Sequence, residues 1–374
     1  WHVHTLRSAE ASGLDLTGNR SPRVERLIGK VDSTLRSLKV PETISKPIDL
    51  WLSQASWKVN FVRVTEEMNP TIVSILRRRA FRGIEGIKFE SSRPTLHDLS
   101  SIGVKPNCRF VDMGFADLDD TCIPVMVRIF PKVEFVNCTY LAIDGSGFSA
   151  WSALKGQRLG LLFGAKGGQL GKDDLDCLVR ACPQLGYLAF FGGDFEECTP
   201  VFKFQNLWGL DLRRTRSRGE IVHRLHELPK LKWLNLDDPS DLDLVLSAPP
   251  MRSVERLSLN YCDQPIEERH IQQLGKAFPK LKDLWLESCT LSPKAIEGLA
   301  NLRSLEVVHL NGFKLGDGEG ADHRFQLTGV TLFLERDEKV AVLKRFPNLD
   351  ADFNHDHPRW FDGRSHRFFD SMDY

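Results

Sequence analysis

The sequence has no surplus of either charge, with 50 Lys and Arg against 50 Asp and Glu. Binding a polyanion takes an excess of cations, so a nucleic acid is not the expected partner. Also missing is any apolar run near the roughly 20 residues that cross a bilayer. The best stretch, residues 123–130, is short and contains Arg128, so no membrane insertion is expected. None of the eight cysteines forms a Cys-x-x-Cys pair, which leaves a zinc knuckle or a thioredoxin-type site without support. His-Glu-x-x-His and Gly-x-Ser-x-Gly are both absent. The run from Gly164 to Asp173 imitates a phosphate loop, but it lacks the leading glycine and has Asp173 where a hydroxyl is required. The close histidine pairs, His2 with His4 and His355 with His357, lack two further metal ligands at workable spacing. The expectation is a non-enzyme with no cofactor and no metal.

The cysteines are spread thinly through 374 residues, whereas disulfide scaffolds are small and cysteine-dense. Free buried thiols and a reducing, cytoplasmic compartment are therefore expected rather than secretion. The chain opens on Trp1 instead of Met, as a processed form or a fragment would.

Self-similarity decides the fold. Leu207-Trp-Gly-Leu210-Asp-Leu212 is echoed by Leu231-Lys-Trp-Leu234-Asn-Leu236, by Val254-Glu-Arg-Leu257-Ser-Leu259 and by Leu281-Lys-Asp-Leu284-Trp-Leu286. Each has apolar residues at positions 1, 4 and 6. Extended both ways, the template starts at 11, 35, 59, 84, 108, 133, 159, 185, 207, 231, 254, 281, 305 and 327, about fourteen repeats. Positions 4 and 6 point into a core from a short strand, position 1 belongs to the incoming corner, and a helical segment must cover the other side. Candidate helices are 70–80, 121–130, 172–182, 266–278 and 293–299. Several close with an apolar or cysteine residue before proline, as at Phe130, Cys182, Leu228, Phe278 and Phe346. Proline disfavours helical geometry in the residue before it.

The pattern resembles the leucine-rich repeat family, whose unit is L-x-x-L-x-L-x-x-N/C-x-L. Asn19, Cys262 and Cys289 stand at the ninth position, and Thr43, Ser92 and Thr215 could serve there. Pro239, Leu141, Gly167, Gly193 and Phe313 depart from the pattern at that place. The cysteine variant and uneven repeat length look most like the cysteine-containing and ribonuclease-inhibitor-like subclasses. The resemblance implies an α/β fold: a right-handed solenoid, or horseshoe, with a parallel sheet on its concave side and helices or irregular segments outside. One solenoid is expected over residues 1–352. A cap or tail carrying Phe353, Trp360, Phe361, Phe368, Phe369 and Tyr374 is expected over residues 353–374.

On such a sheet, positions 3, 5 and 7 face away from the core. They carry a series of aromatics, and large exposed apolar patches mark binding sites. The candidate partner-binding residues are Phe110, Phe135, Phe163, Tyr187, Trp208, Trp233, Tyr261 and Trp285, with Asp211, Arg213 and Arg214 adding polar selectivity. The alternative is that a one-residue error in phase turns some of these aromatics into core. The expected function is recognition of a protein or extended peptide on the concave face. The runner-up is a substrate-receptor subunit of a ubiquitin ligase lacking its N-terminal adaptor-binding part. A third reading is a bacterial repeat scaffold.

Overall fold

In the computed structural model the described residues are 67–78, 81–89, 92–114, 116–139, 141–154, 159–164, 170–191, 199–213, 218–239 and 242–316, with strand backbones at 13–15, 34–40, 58–64, 326–333 and 350–354. The chain divides into two compact units, residues 1–185 and 186–374.

The first unit holds strands β1 Gly13–Asp15, β2 Thr34–Val40, β3 Lys58–Val64, β4 Gly86–Phe89, β5 Phe110–Asp112, β6 Phe135–Cys138 and β7 Gly160–Gly164. They pair in sequence order and every pair is parallel. The second unit repeats the plan with β8 Tyr187–Phe191, β9 Gly209–Asp211, β10 Trp233–Asn235, β11 Arg256–Ser258 and β12 Asp283–Trp285. After β13 Thr290–Leu291 come β14 Val307–His309, β15 Lys314–Leu315, β16 Gln326–Phe333 and β17 Asp350–Asn354. Strands β12, β14, β16 and β17 continue the sheet in that order, while β13 and β15 form a small sheet of their own. Parallel neighbours need a crossover for each strand, and here each crossover leads to the next strand in line. Each unit by itself is an α/β coil of leucine-rich-repeat type with an open parallel sheet.

Position 4 supplies the core. Val111, Val136, Leu161, Leu188, Leu210, Leu234, Leu257, Leu284 and Val308 are all wholly buried. Burying one such side chain contributes about 1.5–3 kcal/mol, which no single repeat could collect alone. Opposite lie short helices within the expected spans: Pro70–Leu76, Cys122–Ile129, Lys172–Ala181, Glu268–Ala277 and Pro293–Gly298. Asn69 and Ser292 cap two of them by accepting from the N–H of Ile72 and Ala295, each with proline at the helix start. The pre-proline residues end three others. Phe130, Cys182 and Phe278 leave helical geometry at ψ 66°, 61° and 70°. The N–H of Val133, Leu185 and Leu281 then returns to their carbonyls at 3.1, 3.0 and 3.1 Å, a turn that delivers position 1 into the next strand.

Register corrects two repeats. Gly160 opposes Phe135 and Leu161 opposes Val136, so the repeat assigned a start at 159 begins one residue earlier. The apolar cluster Leu159, Leu161, Leu162 and Phe163 blurs the period there. Val308 opposes Leu332, so the repeat assigned to 327 starts at 329. Phe353 opposes Leu332, so β17 runs across the boundary anticipated at 352/353. The rest of the aromatic tail, both histidine pairs, Asn19, Thr43, Gly167, Gly193 and Thr215 lie outside the described residues.

At the ninth position Cys289 turns inward toward the carbonyls of Leu259 and Glu287 at 3.3 and 3.5 Å, and Cys262 toward that of Gln264 at 3.4 Å. Ser92 does not do the same job, since its hydroxyl is buried without a hydrogen-bond partner among the described residues. Leu141, Pro239 and Phe313 fill their ninth positions as buried apolar groups.

One buried cation serves the fold. Lys105 is 1 % exposed, and its ammonium donates to the carbonyl of Leu76 at the end of helix Pro70–Leu76. Burial lowers its pKa to about 8. The folded chain therefore holds the proton less tightly than the unfolded one, where lysine titrates near 10.4. Lys105's contribution to stability is full above about 10.4 and is lost as pH falls through 8. Urea unfolding should show stability rising between pH 8 and 10, with a shallower rise in Lys105→Met.

Candidate functional site

The sheet face away from the helices is read column by column. In the second unit, position 3 runs Tyr187, Gly209, Trp233, Arg256, Asp283, Val307, in register from strand to strand. Tyr187 and Trp233 are two strands apart, yet their ring centroids are only 5.5 Å apart. Gly209 makes that possible, because a Cβ at Gly209 would lie 2.6 Å from the Tyr187 ring. The strand between gives up its side chain, and the flanking rings close over the bare backbone. Trp208, one residue back, adds a third ring 5.7 Å from Tyr187 and stays half-buried. In the next column Trp285 stacks on His309 at 4.4 Å and 8°.

This packing corrects an expectation. Phe110, Phe135, Tyr187, Trp233 and Trp285 are only 5–8 % exposed. Strands about 4.8 Å apart carry rings wider than the strand spacing, so neighbouring aromatics shield one another. Among the described residues the open strip of rings is thus reduced to Trp208 and Tyr261, the latter 55 % exposed. In the first unit Phe110 and Phe135 face each other on neighbouring strands. Phe163 registers with Cys138 instead of Asn137, so it leaves the candidate column because of the one-residue slip. Its side chain and Arg214 lie outside the described residues.

Polar residues on this face are bonded in advance. Asp112, Asn137, Asp211 and Asn235, all at position 5, each accept from the backbone N–H two residues on, at 2.9, 2.8, 3.0 and 2.8 Å. These bonds bend the chain out of the strand. Arg213 also returns its guanidinium to Asp211 at 2.8 Å. Asp237 accepts from the Ser258 hydroxyl and, at 3.0 Å, from the Asn260 N–H. Asn260 in turn accepts from the Glu287 N–H at 2.7 Å, and Asn311 donates to the Glu287 carboxylate at 3.3 Å. Sequence reasoning missed Asn235, Ser258, Asn260 and Asn311. Their signal is the recurrence of Asp, Asn or Ser at positions 5 and 7 of successive repeats.

At the strand entrances the charges pair across neighbours: Arg109 with Glu134, Lys232 with Glu255, Lys282 with Glu306 and Arg256 with Asp283, at 2.5–3.3 Å. Past the strand exits the backbone turns left-handed at Asp238, Tyr261, Ser288 and Gly312, with φ of 57°, 58°, 56° and 70°. The seven described cysteines are free. Burial pushes the thiols of Cys108, Cys122, Cys182 and Cys289 up to about 12, where they stay protonated and unreactive. Among the described residues no cluster of three or more His, Cys, Asp or Glu could hold a metal, and no helix is long and apolar enough to cross a membrane. Of the phosphate-loop look-alike, residues 165–169 lie outside the described part. The Gly171 N–H that follows donates to Asp174 at 2.8 Å.

No family model matches the chain, and no curated protein does. Among solved structures it is similar to an internalin (inlF) from Listeria monocytogenes, at 14 % identity and TM-score 0.42, over 79 % of this chain and 78 % of that one. It is also similar to the protein in a TLR13–ssRNA13 complex, at 16 % identity and TM-score 0.44, over 89 % of this chain. The chain spans 42 % of that protein's length. At such identities the likeness is one of fold and assigns no function.

Two measurements probe the face. Gly209→Ala should cost about 1–3 kcal/mol through overpacking against Tyr187. In a Tyr187→Ala background the same change should become neutral or stabilising, as Gly→Ala usually is in a strand. Independent, additive costs would refute the closure of the rings over Gly209. Burial raises the pKa of Asp237, so the folded chain favours its protonated form. That stability is present below about pH 4, the unfolded carboxylate value, and is lost as pH rises through the raised folded value. Asp237→Asn keeps the acceptor for Ser258 and Asn260. It should be more stable than the parent at pH 7, with the advantage gone at pH 3.

Proposed function

We propose that this chain is a recognition module without chemistry of its own, which grips a protein or an extended peptide on the sheet face. In the second unit the anchors are Trp208 and Tyr261, backed by Tyr187, Trp233 and Trp285 and made selective by Asp211 and Arg213. The observation that carries this reading is the half-buried Trp208 ring resting on Tyr187, on a face where Asp211, Asn235 and Asp237 already hold hydrogen bonds. Rigid aromatics give contact area at small entropic cost, and a bonded face needs little rearrangement to bind. Cations paired one for one with carboxylates suit a protein partner better than a phosphate backbone. The free, buried thiols of Cys108, Cys122, Cys182 and Cys289 suit a reducing, cytoplasmic setting.

Trp208→Ala should leave the melting temperature within a few degrees of the parent, because this ring is not part of the wholly buried core. Affinity capture from native cell extract should then lose a protein species that the parent retains. A variant that unfolds, or that captures the same proteins as well as the parent does, would overturn the assignment.

A further inference from the structure

The second unit enters β9, β10, β11, β12 and β14 through the same tight turn. Its closing bond runs from the N–H of Leu207, Leu231, Val254, Leu281 and Leu305 to the carbonyl three residues earlier, at 2.9–3.3 Å. The two middle residues of each turn stay outside the core. From the turn at 228–231 onward they supply one exposed cation every time: Lys230, Arg252, Lys280 and Arg303. Where Pro229 or Pro279 takes the first middle place, which suits its fixed φ, lysine comes second. Where proline is absent, arginine comes first and Ser253 or Ser304 follows. The turn itself does not require charge. Equivalent turns at 105–108, 182–185 and 204–207 carry Pro106-Asn107, Pro183-Gln184 and Gln205-Asn206.

The four cations form a row. Just inside them Lys232, Glu255, Lys282 and Glu306 are joined by N–H to carbonyl bonds of 2.8–2.9 Å. Consecutive turns therefore stand about one strand spacing apart, roughly 4.8 Å, and the row spans roughly 15 Å. The carboxylates of this edge are taken. Glu255, Asp283 and Glu306 are held by Lys232, Arg256 and Lys282, and Glu227 by Arg224 at 2.7 Å. Lys230 donates to the neutral amide of Asn206 at 2.6 Å. Among the described residues no carboxylate lies within ion-pairing distance of Arg252, Lys280 or Arg303. Like charges side by side repel one another, and these add nothing to the core. The row is also one cation wide, because the cations on its strand side are already neutralised. An extended peptide fits that shape. Its alternate side chains face one way about 6.6 Å apart, so three acidic side chains reach across about 13 Å. A nucleic acid calls for a broader basic surface with stacking groups. We propose that the row Lys230, Arg252, Lys280 and Arg303 is a docking surface for an extended acidic segment of a protein partner. It lies at the strand entrances, beside the sheet face, and does not depend on the Trp208 anchor.

The probe is acetyl-Gly-Glu-Ser-Glu-Ser-Glu-Gly-amide carrying an uncharged dye, titrated into the full chain and read by fluorescence anisotropy. Its Gln and Lys counterparts and an oligothymidylate are run beside it. Saturable binding is expected with the Glu peptide, weakening as salt rises, and none with the Gln or Lys peptide. The variant Lys230→Gln, Arg252→Gln, Lys280→Gln, Arg303→Gln should bind the Glu peptide about tenfold or more weakly. The control Arg77→Gln, Arg82→Gln, Arg128→Gln, Arg180→Gln removes the same charge from exposed positions of the first unit. It should leave binding within about twofold of the parent, because distant charges are screened. Should the first variant fold poorly, Arg252→Glu alone at its exposed turn should weaken binding in its place. No saturable binding of the Glu peptide, equal losses in the two quadruple variants, or tighter binding of the oligothymidylate through the same row would overturn the proposal. The titration does not involve Trp208. Its failure leaves the sheet-face reading standing, and partner capture insensitive to Trp208→Ala leaves the row standing.

Discussion

Burial of one apolar side chain per strand, repeated at position 4, is the constraint on which everything else in this molecule rests. From Val111 to Val308 that side chain is excluded from water by neighbouring repeats and by the helix side. A strand of three residues could not persist alone, and a helix of six to ten residues would be marginal in water. Each is stable because stacking turns many small apolar stripes into a continuous core within each unit. The proline-marked turns matter for the same reason: they return each helix to the strand with position 1 already pointing inward.

Because the core claims alternate positions, the residues between them are not fixed by burial in the core. The outer face is nevertheless not a loose display of side chains. Gly209 lets Tyr187 and Trp233 approach each other, and Asp and Asn at position 5 tie down the backbone that follows. A buried carboxylate such as Asp237 is tolerated because Ser258 and Asn260 donate to it, and it still favours its proton. These features make the face stiff as well as variable.

The fold was legible because a period of about 24 residues leaves a signal at every turn of the coil, and the pre-proline residues marked the helix ends within a residue or two. Legibility failed where the period was blurred. Around Phe163 a cluster of apolar residues fits two phases equally well, and one residue of slip moves a side chain to the other face. The candidate face was less legible for a different reason. Alternation tells which way Trp233 or Trp285 points, but exposure depends on what stands on the next strand. A glycine at 209 and a histidine at 309 decide that, and both are remote in sequence from the rings they cover or admit.

The contrast between Trp233 and Tyr261 indicates how such a face separates stability from recognition. Trp233 lies against its neighbours and is held in the sheet's own packing, so most of its surface is already committed within the chain. Tyr261 has the opposite profile: an exposed ring on an unfavourable backbone conformation. Packing within the sheet gives no reason for an aromatic at that position, since Asp, Ser and Gly fill the same place in adjacent repeats. A residue that costs stability and adds little to the core is better accounted for by what it meets from outside. The buried rings are thus part of the sheet's own packing, while the exit turn leaves the Tyr261 ring in solvent.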